Sequence, residues 1–350
     1  MSHPVRTDGR DIDPSLGSLL GEGSHQRSGP VDRHLAEHAA VWRHTPESDE
    51  ADPTYYDRPL LKRPVWKPYI PAYYFVGGIT GASLVLAAAA QLDGSPRLRK
   101  FIRRGQWTGL AGASISGVLL IADLGRPERF LNMLRVFRPT SPMNVGAWIL
   151  AATPAAASGA LLLGALPRPL HGLGRIAGYG AGVLGLGLST YTGVLVSGSA
   201  IPVWQESRHV LPILFGSSAI AATGSLFDLA KQRARAGDIT RAFGIAGRVA
   251  ELAASFALER RLSRVPEVEK PLKQGLSGFL WRSAGVLTAA SLGALLLASR
   301  GGKTRGGKAR KAASALGLLG SLAMRFAIHY AGEQSAANPR ASFRLQRPVE

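Results

Sequence analysis

The chain has 350 residues, with 42 Lys and Arg against 23 Asp and Glu, a formal net charge of +19, no cysteine and 46% hydrophobic residues. The lack of thiols excludes disulfides, cysteine-ligated zinc, iron–sulfur clusters held by this chain and cysteine nucleophiles. Residues 1–68 hold 9 basic and 11 acidic side chains, leaving 33 and 12 for the other 282. The excess charge thus sits in the apolar part, which excludes a nucleic-acid role because no folded soluble segment carries the charge.

In chain order, residues 1–53 are polar and charged with scattered Gly, Pro and His, which predicts a mostly disordered tail. Within it, residues 34–42 form either an amphipathic turn on a partner or a solvated stretch. The first 30 residues lack the apolar stretch of a secretory signal peptide, so the first span is expected to direct insertion. Residues 54–69 form a lead-in whose Pro59, Pro64 and Pro68 enforce an extended path, and whose aromatic and basic residues suit the headgroup layer.

Long uncharged runs then alternate with short loops rich in Arg and Lys. Eight spans are predicted, at 70–92, 106–122, 144–165, 174–199, 211–230, 242–258, 276–299 and 312–331. Most reach the roughly 20 residues that a helix needs to cross the hydrocarbon core. The expected fold class is therefore all-α integral membrane: an eight-transmembrane-helix bundle over residues 70–335, followed by a C-terminal tail at 336–350. Runs such as Gly77-Gly78-Ile79-Thr80-Gly81 and the series Gly174, Gly178, Gly182 let helix backbones approach closely in lipid.

The sixth span is the least apolar. It contains Arg248 and Glu251, three residues apart on one helical face, which are expected to pair. That stretch is either a sixth span or an amphipathic interfacial helix, and the pair either satisfies itself or lies on a proton path. Eight spans place both ends of the chain on one side, and each side then carries 17 Lys and Arg near the membrane, so the positive-inside count ties.

Alternation of direction brings several polar features to one depth: the Gly-rich start of the first span, Asp123 at the end of the second, Tyr191 near the end of the fourth, His209 before the fifth and His329 in the eighth. Convergence of polar groups from separate regions marks a membrane-protein site. Asp123 closes an apolar span where acids are scarce, and Arg126 is its expected partner, for structure or for proton transfer. Gly125 permits a sharp bend there, and Pro127 and Glu128 suit the first turn of a short interfacial helix. Arg126, Arg129, Arg135 and Arg138 are either headgroup-flanking cations or, with Glu128, a docking face. His209, whose unperturbed pKa lies near neutrality, either shuttles protons at the mouth or is a solvated interfacial residue.

The run Asp123-Leu124-Gly125-Arg126-Pro127-Glu128-Arg129-Phe130, then Thr140-Ser141-Pro142-Met143-Asn144-Val145-Gly146-Ala147-Trp148, then Tyr191-Thr192-Gly193 resembles the polysulfide reductase membrane-subunit family, also called NrfD-like. Residues 66–83, with Tyr73-Tyr74-Phe75 before Gly77-Gly78, and residues 214–224 resemble it as well, and the likeness covers roughly 54–335. The resemblance implies a multi-pass subunit of the cell inner (plasma) membrane that binds a quinone (menaquinone or ubiquinone) non-covalently and carries no haem or iron–sulfur cluster. It implies a ferredoxin-like iron–sulfur subunit docked on the site-bearing face, with a molybdopterin-containing catalytic subunit behind it. On that reading the chain relays electrons between the cluster and the quinone pool and is non-catalytic alone. Carried over by motif, Tyr191 and Asp123 fall in the quinone pocket beside Gly77 and Gly81, with Thr80 and Ser83 as the available polar side chains.

Two other classes compete. A haem-binding cytochrome b needs His pairs on facing helices, and only His209 and His329 lie on a common side near the spans. A proton or small-solute channel would use the intramembrane charges Arg248, Glu251, Arg282 and Arg325. The run Gly301-Gly302-Lys303-Thr304 is no phosphate loop, because Leu297 stands where the first glycine is required; it is expected to lie in a basic loop contacting anionic lipid.

Overall fold

The computed structural model describes residues 11–13, 18–20, 59–230, 232–298 and 303–346. The chain divides into two units, residues 1–58 and 59–350. In the first unit β1 (Asp11–Asp13) pairs antiparallel with β2 (Ser18–Leu20), placing Asp11 opposite Leu20. The remainder of the tail expected to be disordered, with the 34–42 stretch and residues 54–58, lies outside the described residues.

Eight long helices build the second unit: α1 (Tyr69–Leu92), α2 (Arg99–Asp123), α3 (Pro142–Leu163), α4 (His171–Ser197), α5 (Leu211–Leu229), α6 (Ala234–Leu262), α7 (Gly275–Ala298) and α8 (Lys303–Ala336). Among the described residues, seven helices are long and apolar enough to cross a membrane. The exception is α6, whose Arg241, Arg248, Glu251 and Glu259 interrupt its apolar run. Each predicted span falls on one of these helices, and the differences lie at the ends. Lys303 and Thr304, expected in a basic loop, belong to α8, as do Lys308, Arg310 and Lys311 after them. Lys and Arg are good helix formers, and Arg310 is held by Asp228 of α5 at 2.7 Å.

The helices form two four-membered rings. In the first, α1 packs on α2, α2 on α3, α3 on α4 and α4 back on α1; α5 to α8 close in the same way, and the rings meet where α1 and α4 face α5 and α1 faces α8. Close crossings depend on glycine. A Cβ on Gly81 would run into the Gly185 carbonyl of α4, and one on Gly224 into the Gly244 backbone of α6. Connections α1–α2 and α3–α4 lie on one face, with the end of α5 and the start of α6. The opposite face carries three longer connections, each with a short helix: Pro127–Leu134, Pro202–Glu206 and Pro266–Lys273. Residues 59–68 and the end of α8 share that face.

Candidate functional site

Tyr73 and Tyr74 are consecutive on α1 and each is 1% exposed, with rings 6.0 Å apart. Neighbours on a helix point about 100° apart, so the pair addresses two directions. Tyr74 meets Phe215 of α5 at 5.9 Å, and Tyr191 of α4 lies beside both phenols. Tyr191 is seated against Gly146 of α3, where any Cβ would overlap its ring. The Tyr73 hydroxyl has the Tyr191 phenol beside it, and the hydroxyl of Tyr74, with Ser116 Oγ and Thr192 Oγ1, is buried without a hydrogen-bond partner among the described residues. Unsatisfied buried donors at one depth call for a ligand or ordered water. Asp123 reaches the same region: its Oδ1 accepts the backbone N–H of Lys67 at 2.9 Å, and the carboxylate acts electrostatically on Tyr74.

Four α1 residues picked out from the sequence fall as follows. Gly77 borders Tyr73 and Ser116, leaving space beside the ring. Thr80 is fully buried, donates to the Val76 carbonyl at 2.8 Å and lies against Gly112 of α2. Gly81 sits at the α1–α4 crossing, and the Ser83 backbone carbonyl faces Gly105 of α2. The polar groups nearest Tyr191 on α1 are thus Tyr73 and Tyr74. The sequence did carry a signal for them: two phenols inside an apolar span need partners for their hydroxyls.

The segment after α2 takes the expected short helix as a 3-10 turn, Pro127–Leu134, while Gly125 bends the chain without a positive φ. Asp123 bonds to the lead-in backbone rather than to Arg126. Arg126, Glu128, Arg129, Arg135 and Arg138 are all exposed, alongside the exposed Leu131, Val136 and Phe137. Asn144, at the start of α3, fixes this stretch. Its Nδ2 donates to the carbonyls of Met133 (2.8 Å) and Val136 (3.0 Å), and its Oδ1 accepts from the Arg138 N–H (2.7 Å).

The second ring holds the intramembrane charges. Arg248 is 1% exposed and donates to Ser291 Oγ (2.8 Å), the Gly244 carbonyl (2.8 Å) and Ser225 Oγ (2.7 Å), so hydroxyls satisfy it in place of the ion pair expected with Glu251. Glu251 lies beside Ser218 and within electrostatic reach of Arg325 and Arg248, and its Oε2 has no hydrogen-bond partner. Arg325 of α8 stacks over Phe215 at 3.9 Å, donates from Nη2 to the Phe215 carbonyl at 2.6 Å and interacts with Tyr74. A cavity of about 370 Å³ opens between α6, α7 and α8, lined by Glu251, Glu259, Trp281, Arg282, Thr288 and Met324.

Above the tyrosines the lead-in closes the face. Trp66 stacks on Trp204 (5.7 Å, 15° between planes) and on His329 (6.2 Å, 21°). Trp204 Nε1 donates to the Ile328 carbonyl at 2.8 Å, and its ring fills the space left by Gly332. His329 Nε2 is 3.1 Å from Glu333 Oε1. The other candidate histidine, His209, is exposed and accepts from Arg208 Nε at 3.1 Å.

These features define a polytopic helical membrane protein with a tyrosine-lined polar site buried near one face. The family model for polysulphide reductase, NrfD, matches residues 59–337, and the chain belongs to that family. Its members are membrane subunits of oxidoreductase complexes and partner with iron–sulfur and molybdenum enzyme subunits. Among curated proteins, none matches the chain.

Proposed function

We propose that this chain is the quinone-binding membrane anchor of a multi-subunit oxidoreductase in the cell inner (plasma) membrane, with all eight helices crossing the bilayer, and that it relays electrons between the quinone pool and a partner iron–sulfur subunit. A molybdenum-containing catalytic subunit stands behind that partner. The observation that carries the reading is the set of buried phenols, Tyr74 without a partner among the described residues and Tyr73 paired with Tyr191 beside it, set in apolar walls next to Asp123. A quinone head presents two carbonyl acceptors on a flat apolar ring, which phenol donors bordered by Phe215 and glycine suit. A bound quinone supplies two-electron, two-proton redox chemistry. Tyr73, Tyr74 and Tyr191 orient its carbonyls and exchange protons with it, and Asp123, tethered to the lead-in, adds a proton acceptor at the mouth.

The exposed arginines at 126, 129, 135 and 138, with Glu128, form the face onto which the partner docks. A second element of the reading is proton movement through the α5–α8 ring, where Glu251 lies beside Ser218 with no direct ion pair among the described residues and the cavity leads on toward Glu259. The test is Tyr191→Phe in the complex purified from its native membrane. Turnover of a soluble quinol such as menadiol is expected to fall by at least tenfold with subunit composition unchanged, as loss of a proton-transferring group costs roughly 10²–10⁴-fold. Normal turnover in this variant refutes the assignment.

A further inference from the structure

Three titratable or charged side chains follow one another on one face of α8 at intervals of four residues: Arg325, His329 and Glu333. Four residues advance a helix by about 6 Å, so the series covers about 12 Å from the tyrosine level to the face that carries the lead-in. Its inner end touches the site. Arg325 bonds to the Phe215 carbonyl, its Nη2 lies close to Gly78 of α1, and it acts on Tyr74, while its Nε and Nη1 have no hydrogen-bond partner. Its outer end is a partly exposed carboxylate, with Arg63 of the lead-in in electrostatic range.

His329 stands between them, 1% exposed, with two nitrogens in different surroundings. Nε2 faces Glu333 at 3.1 Å, the Trp66 backbone lies within reach of the ring, and Nδ1 makes no close hydrogen bond among the described residues. An imidazole so placed can accept a proton at one nitrogen and release one at the other. Trp66 covers the ring on one side and Tyr330 meets it edge-on at 5.3 Å, with Glu333 of its own helix at Nε2 and Arg63 of the lead-in in electrostatic range of Glu333. The next lead-in residue, Lys67, holds Asp123 through its N–H, so one short segment contacts both the tyrosine site and the α8 series.

We propose that His329 and Glu333 carry protons between the tyrosine site and the face bearing the lead-in, by way of water ordered at Arg325; the proposal rests on the quinone reading above. Oxidation of a quinol held at the tyrosines would release two protons to Tyr74, its two electrons leaving one at a time for the partner's iron–sulfur subunit. Tyr74 takes each proton at its hydroxyl as it passes its own inward to the water at Arg325. His329 receives it at Nδ1, Glu333 takes the proton released from Nε2, and Arg63 keeps the carboxylate oriented toward solvent. In the reducing direction every transfer reverses.

The test uses the complex purified from its native membrane and follows the loss of iron–sulfur absorbance after rapid mixing with menadiol, in H₂O and D₂O. Glu333→Gln and His329→Gln are expected to slow that loss about tenfold or more and to enlarge the solvent isotope effect, with the menadiol concentration for half-maximal rate unchanged. Glu333→Asp is expected to restore most of the rate. If His329→Gln fails to assemble, the Glu333→Gln and Glu333→Asp pair decides. Parental rates and isotope effects in the Glu333→Gln complex overturn the relay and leave the quinone site standing. Absence of any menadiol-driven change in the parent complex overturns the quinone reading itself.

Discussion

At the scale of single residues, the site depends on side chains and on the gaps that admit them. Gly146 is such a gap, since the Tyr191 ring occupies the volume a methyl group would need. Gly146→Ala is therefore expected to displace Tyr191 and lower menadiol turnover as much as Tyr191→Phe does. Overpacking of this kind costs about 1–3 kcal/mol, so a lower thermal midpoint should accompany the loss, whereas Tyr191→Phe should leave the midpoint nearly unchanged. The two variants compared by turnover and thermal unfolding separate positioning from chemistry. Residue partners were the least legible part of the sequence. Arg248 and Glu251 share a helical face, yet besides the Gly244 carbonyl one turn back the groups that satisfy Arg248 lie 23 and 43 residues away on α5 and α7, an outcome of helix pairing that no local pattern encodes. Asp123 likewise takes a backbone N–H 56 residues distant rather than the nearby Arg126.

At the scale of elements, the helices were legible because an uncharged run of about 20 residues is close to a sufficient description of a span. Their ends were not, because Lys and Arg continue a helix past the apolar run, as at the start of α8 and both ends of α6. The sixth helix is the element on which the topology turns. It is too charged to qualify by composition, but Arg248 and Glu251 are turned inward and satisfied or enclosed by α5, α7 and α8. Inward charges are how a polar helix tolerates the bilayer, whereas an interfacial helix would turn them to water. The natural absence of cysteine gives a direct test. Asp238→Cys, at the start of α6, and Ser263→Cys, just after its end, are exposed positions. In intact and inverted membrane vesicles, a membrane-impermeant maleimide is expected to label them from opposite sides; labelling from the same side removes α6 as a span.

At the scale of the whole molecule, the net charge of +19 resolves into loops and helix ends on both faces of the second unit, and the few carboxylates there are mostly engaged. Arg310 holds Asp228 and Arg235 holds Asp93 on one face, while Arg261 holds Glu206 and Lys273 holds Glu269 on the other. The two rings share one seam, where α1, α4, α5 and α8 meet and the tyrosines, Phe215 and Arg325 gather. A ligand at that seam touches both rings, so its binding is expected to add to the stability of the whole bundle by mass action.

Residues 59–68 cross this seam with Lys67 on Asp123 of α2 and Trp66 against His329 of α8 and Trp204 of the short 202–206 helix. Two indoles 5.7 Å apart and 15° from parallel are close enough for their electronic transitions to mix, which makes this pair an optical gauge of how the segment sits. Near-ultraviolet circular dichroism of the purified complex should show a tryptophan couplet that Trp66→Phe abolishes while the helical signal stays intact. A couplet that survives the substitution means the stacking does not form. Where it forms, its amplitude reads the closure of the segment over the tyrosines with no label attached, and any ligand or partner that lifts the segment will announce itself as a change in colour rather than in rate.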